Sequence, residues 1–577
     1  MDTGGGAACA QNRAQMHTVE IVLLLLMLGA VSGLAARYLA AIPLPLLQIA
    51  LGSALSWPDA GLHVRFDPEL FLLLFIPPLL FADGWRIPKR EFFALRRPIL
   101  TLALGLVLFT VIGLGYFVHW MVPGMPLTVA FALAAVLSPT DAVAVSAITR
   151  RLGMPEKTMH ILEGESLLND ASGLVALKFA VAATLTGVFS WSEAGRSFVF
   201  IAVGGVAVGT GVGWGFAVAR NAITRRLGDT AATQTVLLLM LLPFAAYILG
   251  ENLGVSGILA AVAAGIATNF ADLERSEFIA ERMQAQGAWA VVESAFNGAI
   301  FLLLGLQLPA IMVDGLTHGP HAWWLMVGYV LAISAMLVVL RGVWLVLAVR
   351  RSMANARRRG QLLEVPTARL MGATTLAGIR GAITLAGALS VPLLMPDGSA
   401  FPGRELLVFL ATGVILVTLV VGSVGLPLLL RGLPQPDEPP HAREERLARV
   451  AACEAAIAAL KNDRSGAGRH DAEWQGLHEE ATGRVARGYR RRIETLDDAE
   501  GGPDADQAAR ATLKRGHVLE LELRLAGLRA ERAELYRLRR AHRINDDSLR
   551  ALVQEVDLSE ISLRRRLVAA RRASQRS

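Results

Sequence analysis

Glu163-Gly-Glu-Ser-Leu-Leu-Asn-Asp-Ala-Ser-Gly173 stands inside an otherwise apolar run over residues 161–187, and whether that run crosses a membrane decides the fold. The rest of the chain answers the question. Of 577 residues, 54% are hydrophobic and only 18% charged, with a mean hydropathy of +0.47, which excludes an ordinary soluble domain for most of the length. Apolar runs of about 20 residues follow one another, each long enough to cross a hydrocarbon core roughly 30 Å thick at about 1.5 Å per residue. Thirteen are read, at 19–40, 42–57, 67–84, 98–120, 126–149, 161–187, 196–220, 231–249, 255–270, 287–309, 322–349, 368–392 and 405–431. The expectation is an all-α polytopic membrane protein.

Charge tests that count, because consecutive spans alternate direction and Lys and Arg collect on the cytoplasmic side. Arg86, Lys89, Arg90, Arg96 and Arg97, then Arg150, Arg151 and Lys157, then Arg225 and Arg226, then the basic cluster at 350–359 all fall on one side. The connections at 191–196, 314–321 and 396–404 fall opposite and carry no such cluster. An odd count places the N-terminus outside and the C-terminal tail in the cytoplasm. The net charge of +7 is thereby a topological signal and gives no reason to expect a nucleic-acid partner. Residues 1–15 are polar and glycine-rich and lack a basic n-region, so 19–40 reads as a retained span, with Met16 an alternative start. Cys9 and Cys453 have no partner spacing, so neither a disulfide framework nor a metal site is indicated.

Polar residues near the middle of a span are costly and mark cavities or ion paths. At 100° per residue, Glu165, Ser166, Asn169, Asp170, Ser172 and Gly173 fall within an arc of about 160°, while Leu167, Leu168, Ala171, Leu174 and Val175 take the other side. A face of carboxylate, hydroxyl and carbonyl oxygens without His or Cys suits a hard cation such as Na+ and no transition metal. The fifth span contains Leu137-Ser-Pro-Thr-Asp-Ala142, where Pro139 breaks the helix and frees carbonyls, and Asp141 is placed to cap the half that restarts. The twelfth contains Leu376-Ala-Gly-Ile-Arg-Gly-Ala-Ile383, with Arg380 between two glycines; a buried guanidinium needs an anion, and Glu165 and the broken fifth helix are the expected partners. Spans four to six and eleven to thirteen start from opposite sides, each triplet with its interrupted helix in the middle, as in inverted repeats whose two discontinuous helices cross at the midplane. Lys178 reads as a second countercharge in the core, or as a snorkelling or structurally paired residue. Glu293 and Asn297, at i, i+4, read either as lining the approach to the site or as packing.

After a proline-rich connector at 434–440 the character changes to Arg, Glu and Ala. Leu447, Val450, Ala451, Ile457 and Leu460, and then Val518, Leu521, Leu525, Leu528, Leu535 and Leu538, keep helical spacing, which indicates a helical tail forming a short coiled coil or a bundle.

Phe-Ala-Asp-Gly-Trp at 81–85, Ser-Pro-Thr-Asp at 138–141, Glu-Gly-Glu-Ser-Leu-Leu-Asn-Asp at 163–170 and Gly-Ile-Arg-Gly-Ala at 378–382 together resemble the cation:proton antiporters of the NhaP and sodium/hydrogen exchanger group, over roughly residues 17–432. The resemblance implies a homodimer with thirteen spans in which a six-helix core moves against a dimerisation domain. The corresponding divisions are an extension at 1–16, dimerisation helices at 17–97, core helices at 98–190, dimerisation and linker helices at 191–320, core helices at 321–432 and the tail at 433–577. Position by position it implies that Asp170 carries ion and proton, that Na+ binds at Asp170, Ser166, Glu165 and the Thr140 carbonyl, that Asn169 and Arg380 are supports, and that Asp141 offsets the half-helix ends. Electroneutral members of the group carry Asn before the essential Asp, so Asn169 points to one proton per sodium. The expected function is secondary active sodium/proton antiport by elevator-like alternating access in the inner membrane, not enzymatic catalysis. Na+ and H+ are then the cargo, with Li+ a surrogate, no resident cofactor, membrane lipid as surroundings and the tail available for regulatory contacts. Potassium/proton exchange on the same scaffold is the alternative, and a gated cation channel a distant one.

Overall fold

The structure, a computed structural model, describes residues 22–36, 38, 42–56, 73–149, 153–187, 191–227, 231–271, 279–317, 322–360, 366–431, 440–462, 472–497, 507–541, 543 and 546–575. The N-terminal extension, Arg150, Arg151 and most of the proline-rich connector lie outside the described residues. The chain divides into two units, Met1–Leu433 and Pro434–Ser577.

The first unit is helical apart from one isolated bridge between Leu394 and Ala400 among the described residues. Helices α1 (Val22–Ala35) and α2 (Leu44–Leu55) are followed by α3 (Ile76–Arg86) and by α4 (Arg96–Met121), which contains a π-helical segment at Thr101–Leu106. The next span comes in two pieces, α5 (Leu127–Leu137) and α6 (Ala142–Thr149), because Pro139, one residue past the helical Ser138, has no N–H to give and cannot continue the ladder. Helix α7 (Glu156–Thr186) runs unbroken through the acidic stretch and stops at Gly187, whose φ of 69° is the left-handed cap that glycine accepts. Then come α8 (Trp191–Leu227), α9 (Ala232–Asn252), α10 (Gly257–Ala271), α11 (Ile279–Thr317) and α12 (Trp323–Arg358). A second divided span, α13 (Ala368–Leu376) and α14 (Ala382–Leu389), precedes α15 (Arg404–Leu430). Among the described residues eight helical segments are long and apolar enough to cross a membrane, and α1, α2 and α10 are shorter apolar helices. The unit is that of a multi-pass membrane protein.

Two packing regimes position the site. Helix α5 is apolar all round and buried from Val129 through Leu137 apart from Phe131, so it lies at the centre of the main core with α15 and α7 against it. Helix α8, by contrast, exposes Val199, Phe200, Val203, Trp214 and Val218 and uses glycines for its contact. Gly205, Gly209 and Gly213 lie one turn apart and rest directly on the backbone of Ser256, just before α10, and of Ala260 and Ala264 within it, the close approach by which helices associate where lipid offers no hydrophobic contrast.

The second unit holds α16 (Pro440–Asn462), α17 (Ala472–Asp497), α18 (Gln507–Arg540) and α19 (Asp546–Gln575). Leu521 and Leu525 of α18 pack on Leu567 of α19, flanked by Val518, Leu563 and Ala570, so the apolar stripe of α18 is covered within its own chain, as in a bundle. Arg532 of α18 bonds both Asp557 and Glu560 of α19, and its hydrogen bond holds the Glu560 carboxyl below the ordinary carboxylate range. In α16 Val450, Ile457 and Leu460 of the expected face are half-buried beside the buried Cys453, whereas Leu447 and Ala451 are exposed.

A Cβ at Gly209 would overlap the Ala260 carbonyl, while one at Gly211 meets nothing. Gly209→Val is therefore expected to destabilise the membrane unit by about 1–3 kcal/mol through overpacking and Gly211→Ala to leave it unchanged, as read by thermal unfolding in detergent micelles.

Candidate ion-binding site

The two divided spans meet at their breaks. The Asp141 amide donates to the Ile379 carbonyl at 2.8 Å, joining two unwound segments that have no helical partners of their own. The Asp141 carboxylate also accepts the Ala144 amide at 3.0 Å, capping α6. Only glycine fits at 381, because a Cβ there would overlap that carboxylate, so Asp141 lies against the first residues of α14 as well. One negative charge thus faces the positive ends of both restarting half-helices.

Arg380 does the converse. Its Nε donates to the carbonyl of Leu137, the last residue of α5, at 2.8 Å, and its Nη1 donates to the carbonyl of Gly378, just past α13. One guanidinium therefore serves the negative ends of the two half-helices that stop, while its own amide donates to Thr418 Oγ1 at 3.2 Å. Of the two partners expected for Arg380, the broken fifth span is found and Glu165 is not.

Glu165 belongs to a residue that sequence reasoning passed over. Arg341 of α12 donates from Nη1 and Nη2 to the two Glu165 oxygens, the latter at 2.9 Å, and from Nε to the Thr374 carbonyl at 3.0 Å. Both partners are 2% exposed or less. The pair is internally neutral, and Glu165 is not among the residues that line the cavity reaching the other oxygens; each of its carboxylate oxygens accepts from a buried guanidinium instead. The signal for Arg341 was present, since it is the sole charge between Trp323 and Val349.

The remaining face of α7 turns to the crossing. Ser166 Oγ donates to the Thr140 carbonyl at 2.7 Å, and Asn169 Nδ2 donates to Thr140 Oγ1 at 2.8 Å. Ser172 reaches the other way, to the Ala103 carbonyl in the π segment of α4, at 2.9 Å. A cavity of about 400 Å³ is lined by Asp170, Ser166, Thr140 and Asp141, and extends past Asp83 to Arg86 and Glu293. Arg86 and Glu293 form an ion pair there, and Asn297 lines the same space, so the lining alternative for Glu293 and Asn297 is the one the structure takes. Asp83, in the Phe-Ala-Asp-Gly-Trp stretch but not expected as a site residue, is one of five acidic side chains lining this cavity, with Asp141, Glu163, Asp170 and Glu293. Lys178 stands outside the cavity and pairs with Glu251.

Carboxylate, hydroxyl and carbonyl oxygens thus border a single polar cavity within an apolar bundle, which is donor chemistry for a group I cation. The transmembrane sodium/hydrogen exchanger family matches residues 22–432, which span both divided helices and all of α7. The chain belongs to the sodium/hydrogen exchanger family. It is 45% identical over 557 residues to an uncharacterized Na+/H+ exchanger, YjcE, of Escherichia coli (strain K12), covering 95% of this chain and 99% of that one. It is 46% identical over 416 residues to a sodium, potassium, lithium and rubidium/H+ antiporter of Bacillus pumilus (strain SAFR-032), covering 72% of this chain and 61% of that protein. The fold is similar to that of the sodium proton antiporter MjNhaP1 from Methanocaldococcus jannaschii, with a TM-score of 0.56 at 17% identity, covering 73% of this chain and 99% of that one. As a member of an exchanger family the chain is a cation/proton transporter.

Arg341→Leu strands a buried carboxylate, and loss of one partner of such a pair costs about 3–5 kcal/mol. The variant is expected to melt well below the parent in micelles, and adding Glu165→Leu to recover most of the loss; a double variant as unstable as the single one would contradict the pairing.

Proposed function

We propose that this exchanger trades Na+ for H+ at Asp170, the two cations competing for one carboxylate. The observation that carries the reading is the single cavity in which Asp170 shares a wall with Ser166 and Thr140. As the site stands, Ser166 spends its hydroxyl hydrogen on the Thr140 carbonyl. An entering Na+ takes the place of that hydrogen: the hydroxyl rotates, and both oxygens and the Asp170 carboxylate turn to the ion. A proton arriving at Asp170 restores the original bond. Either occupant neutralises the carboxylate, and a neutral site crosses a low-dielectric barrier far more easily than a bare charge. The empty, ionised site moves poorly, which makes exchange obligatory. Asn169 cannot titrate, so one proton leaves per cation and the cycle is electroneutral. No cofactor enters the scheme.

The wider proposal keeps thirteen spans, with α5/α6 and α13/α14 the discontinuous helices of two inverted repeats, and a core that moves elevator-like against dimerisation helices in a homodimer of the inner membrane. The basic residues next to Arg86 support a cytoplasmic cavity mouth, with the N-terminus outside and the tail inside, where it would meet regulatory partners. Potassium is the second reading for the ion. It is favoured by the likeness to the Bacillus pumilus protein, whose name includes potassium and rubidium.

Proton flux in proteoliposomes, driven in turn by Na+, Li+ and K+ with the membrane potential clamped, tests both. Na+ and Li+ are expected to drive flux without net current, Asp170→Asn to reduce it to background, and Ser166→Ala to raise the half-saturating cation concentration about tenfold, the loss of roughly one ligand's 1.4 kcal/mol. Flux driven by K+ alone would select the second reading, and large passive currents would oppose antiport altogether.

A further inference from the structure

We infer that the ion pair between Lys178 and Glu251 is the closure contact on the side of the membrane opposite the cavity, made while the cavity is open and parted each time Asp170 is turned to that side; this rests on the alternating-access reading above. Lys178 Nζ bonds both Glu251 oxygens, at 2.9 and 3.0 Å. It lies on the same helix as Asp170, eight residues further along, or about 12 Å at 1.5 Å per residue. Glu163, seven residues to the other side of Asp170, lines the cavity, and Lys178 does not. The pair therefore sits at the closed end of the path.

Its other half is fixed to a different body. Glu251 Oε1 also accepts the Gly257 amide at 3.1 Å, at the start of α10. The same corner is tied to α8 by the Ser256 amide, which donates to the Ile201 carbonyl at 3.2 Å, while Ser256 Oγ caps α10 through the Leu259 amide. A glutamate in the last turn of α9 opposes that helix's dipole, so α9 does not account for it. The start of α10 and Lys178 do. The corner holds the carboxylate in place without help from α7, and the lysine is what α7 brings to it.

Strength fits the task. Lys178 and Glu251 keep 52% and 35% of their side-chain surface exposed, so the pair is weak and can break in every cycle. The buried Glu165–Arg341 pair would strand two charges on parting, and it serves as a permanent bond.

The test uses full-length protein in proteoliposomes with Cys9→Ser and Cys453→Ser as background, carrying Lys178→Cys and Glu251→Cys. A short bis-thiosulfonate cross-link between the two is expected to bring cation-driven proton flux to background, and reductant to restore it, while a monofunctional thiosulfonate leaves flux in place. Cross-linked protein that exchanges at the uncross-linked rate would overturn the inference and leave the antiport reading standing. A parent without cation-driven flux would overturn both. A second arm needs no cross-link: Lys178→Gln is expected to shift the half-saturating cation concentration in opposite directions on the two sides of the membrane, by about two- to five-fold, and the exchange Lys178→Glu with Glu251→Lys to return both to parental values. Half-saturation unaltered on both sides would contradict a closure role.

Discussion

The hydrogen bond from the Asp141 amide to the Ile379 carbonyl joins two pieces of unwound backbone inside an apolar bundle. Backbone polar groups at such depth have no water to turn to, and each one left bare costs several kcal/mol. The surroundings of the crossing follow from that constraint. Asp141 answers two helix starts, Arg380 answers two helix ends, and Ser166 and Asn169 answer Thr140. Once these groups are satisfied, Asp170 is the buried carboxylate on the α7 face of the cavity that none of these bonds uses. The site is what remains after the breaks have been made good.

Charge is arranged in two layers of different permanence. Glu165 and Arg341 lock α7 to α12 with both members buried. Arg86 and Glu293 at the cavity wall, and Lys178 and Glu251 at the other end of α7, are partly exposed pairs. Under the alternating-access proposal, pairs that would strand buried charges on parting belong inside the moving parts and exposed, weak ones between them.

Much of this was legible in the sequence for definite reasons. Membrane spans announce themselves by length, the breaks by Pro139 and by the glycines around Arg380, and the polar face of α7 by simple helical arithmetic. What was not legible was partnership. Glu165 and Arg380 are both buried and opposite in charge, which makes them a natural pair on paper. Arg341, 176 residues away from Glu165 in the chain, takes that carboxylate because α12 packs beside α13 and Thr374 orients its Nε. The π turn of α4 has no residue signature, yet its Ala103 carbonyl receives Ser172. In the tail, Leu447 keeps the apolar spacing yet is exposed, while Cys453 is buried, a difference that only the neighbouring helix decides.

Competition for one carboxylate has a signature that needs no transport. Calorimetry of Na+ binding to the purified protein in micelles, repeated in buffers of different ionisation enthalpy, counts the protons released per ion bound. On the acid side of the Asp170 titration about one proton per Na+ in the parent, and none when Asp170 is replaced by Asn, is the expected result, with apparent Na+ affinity there falling close to tenfold per pH unit. Na+ binding that releases no proton at any pH would contradict a shared site.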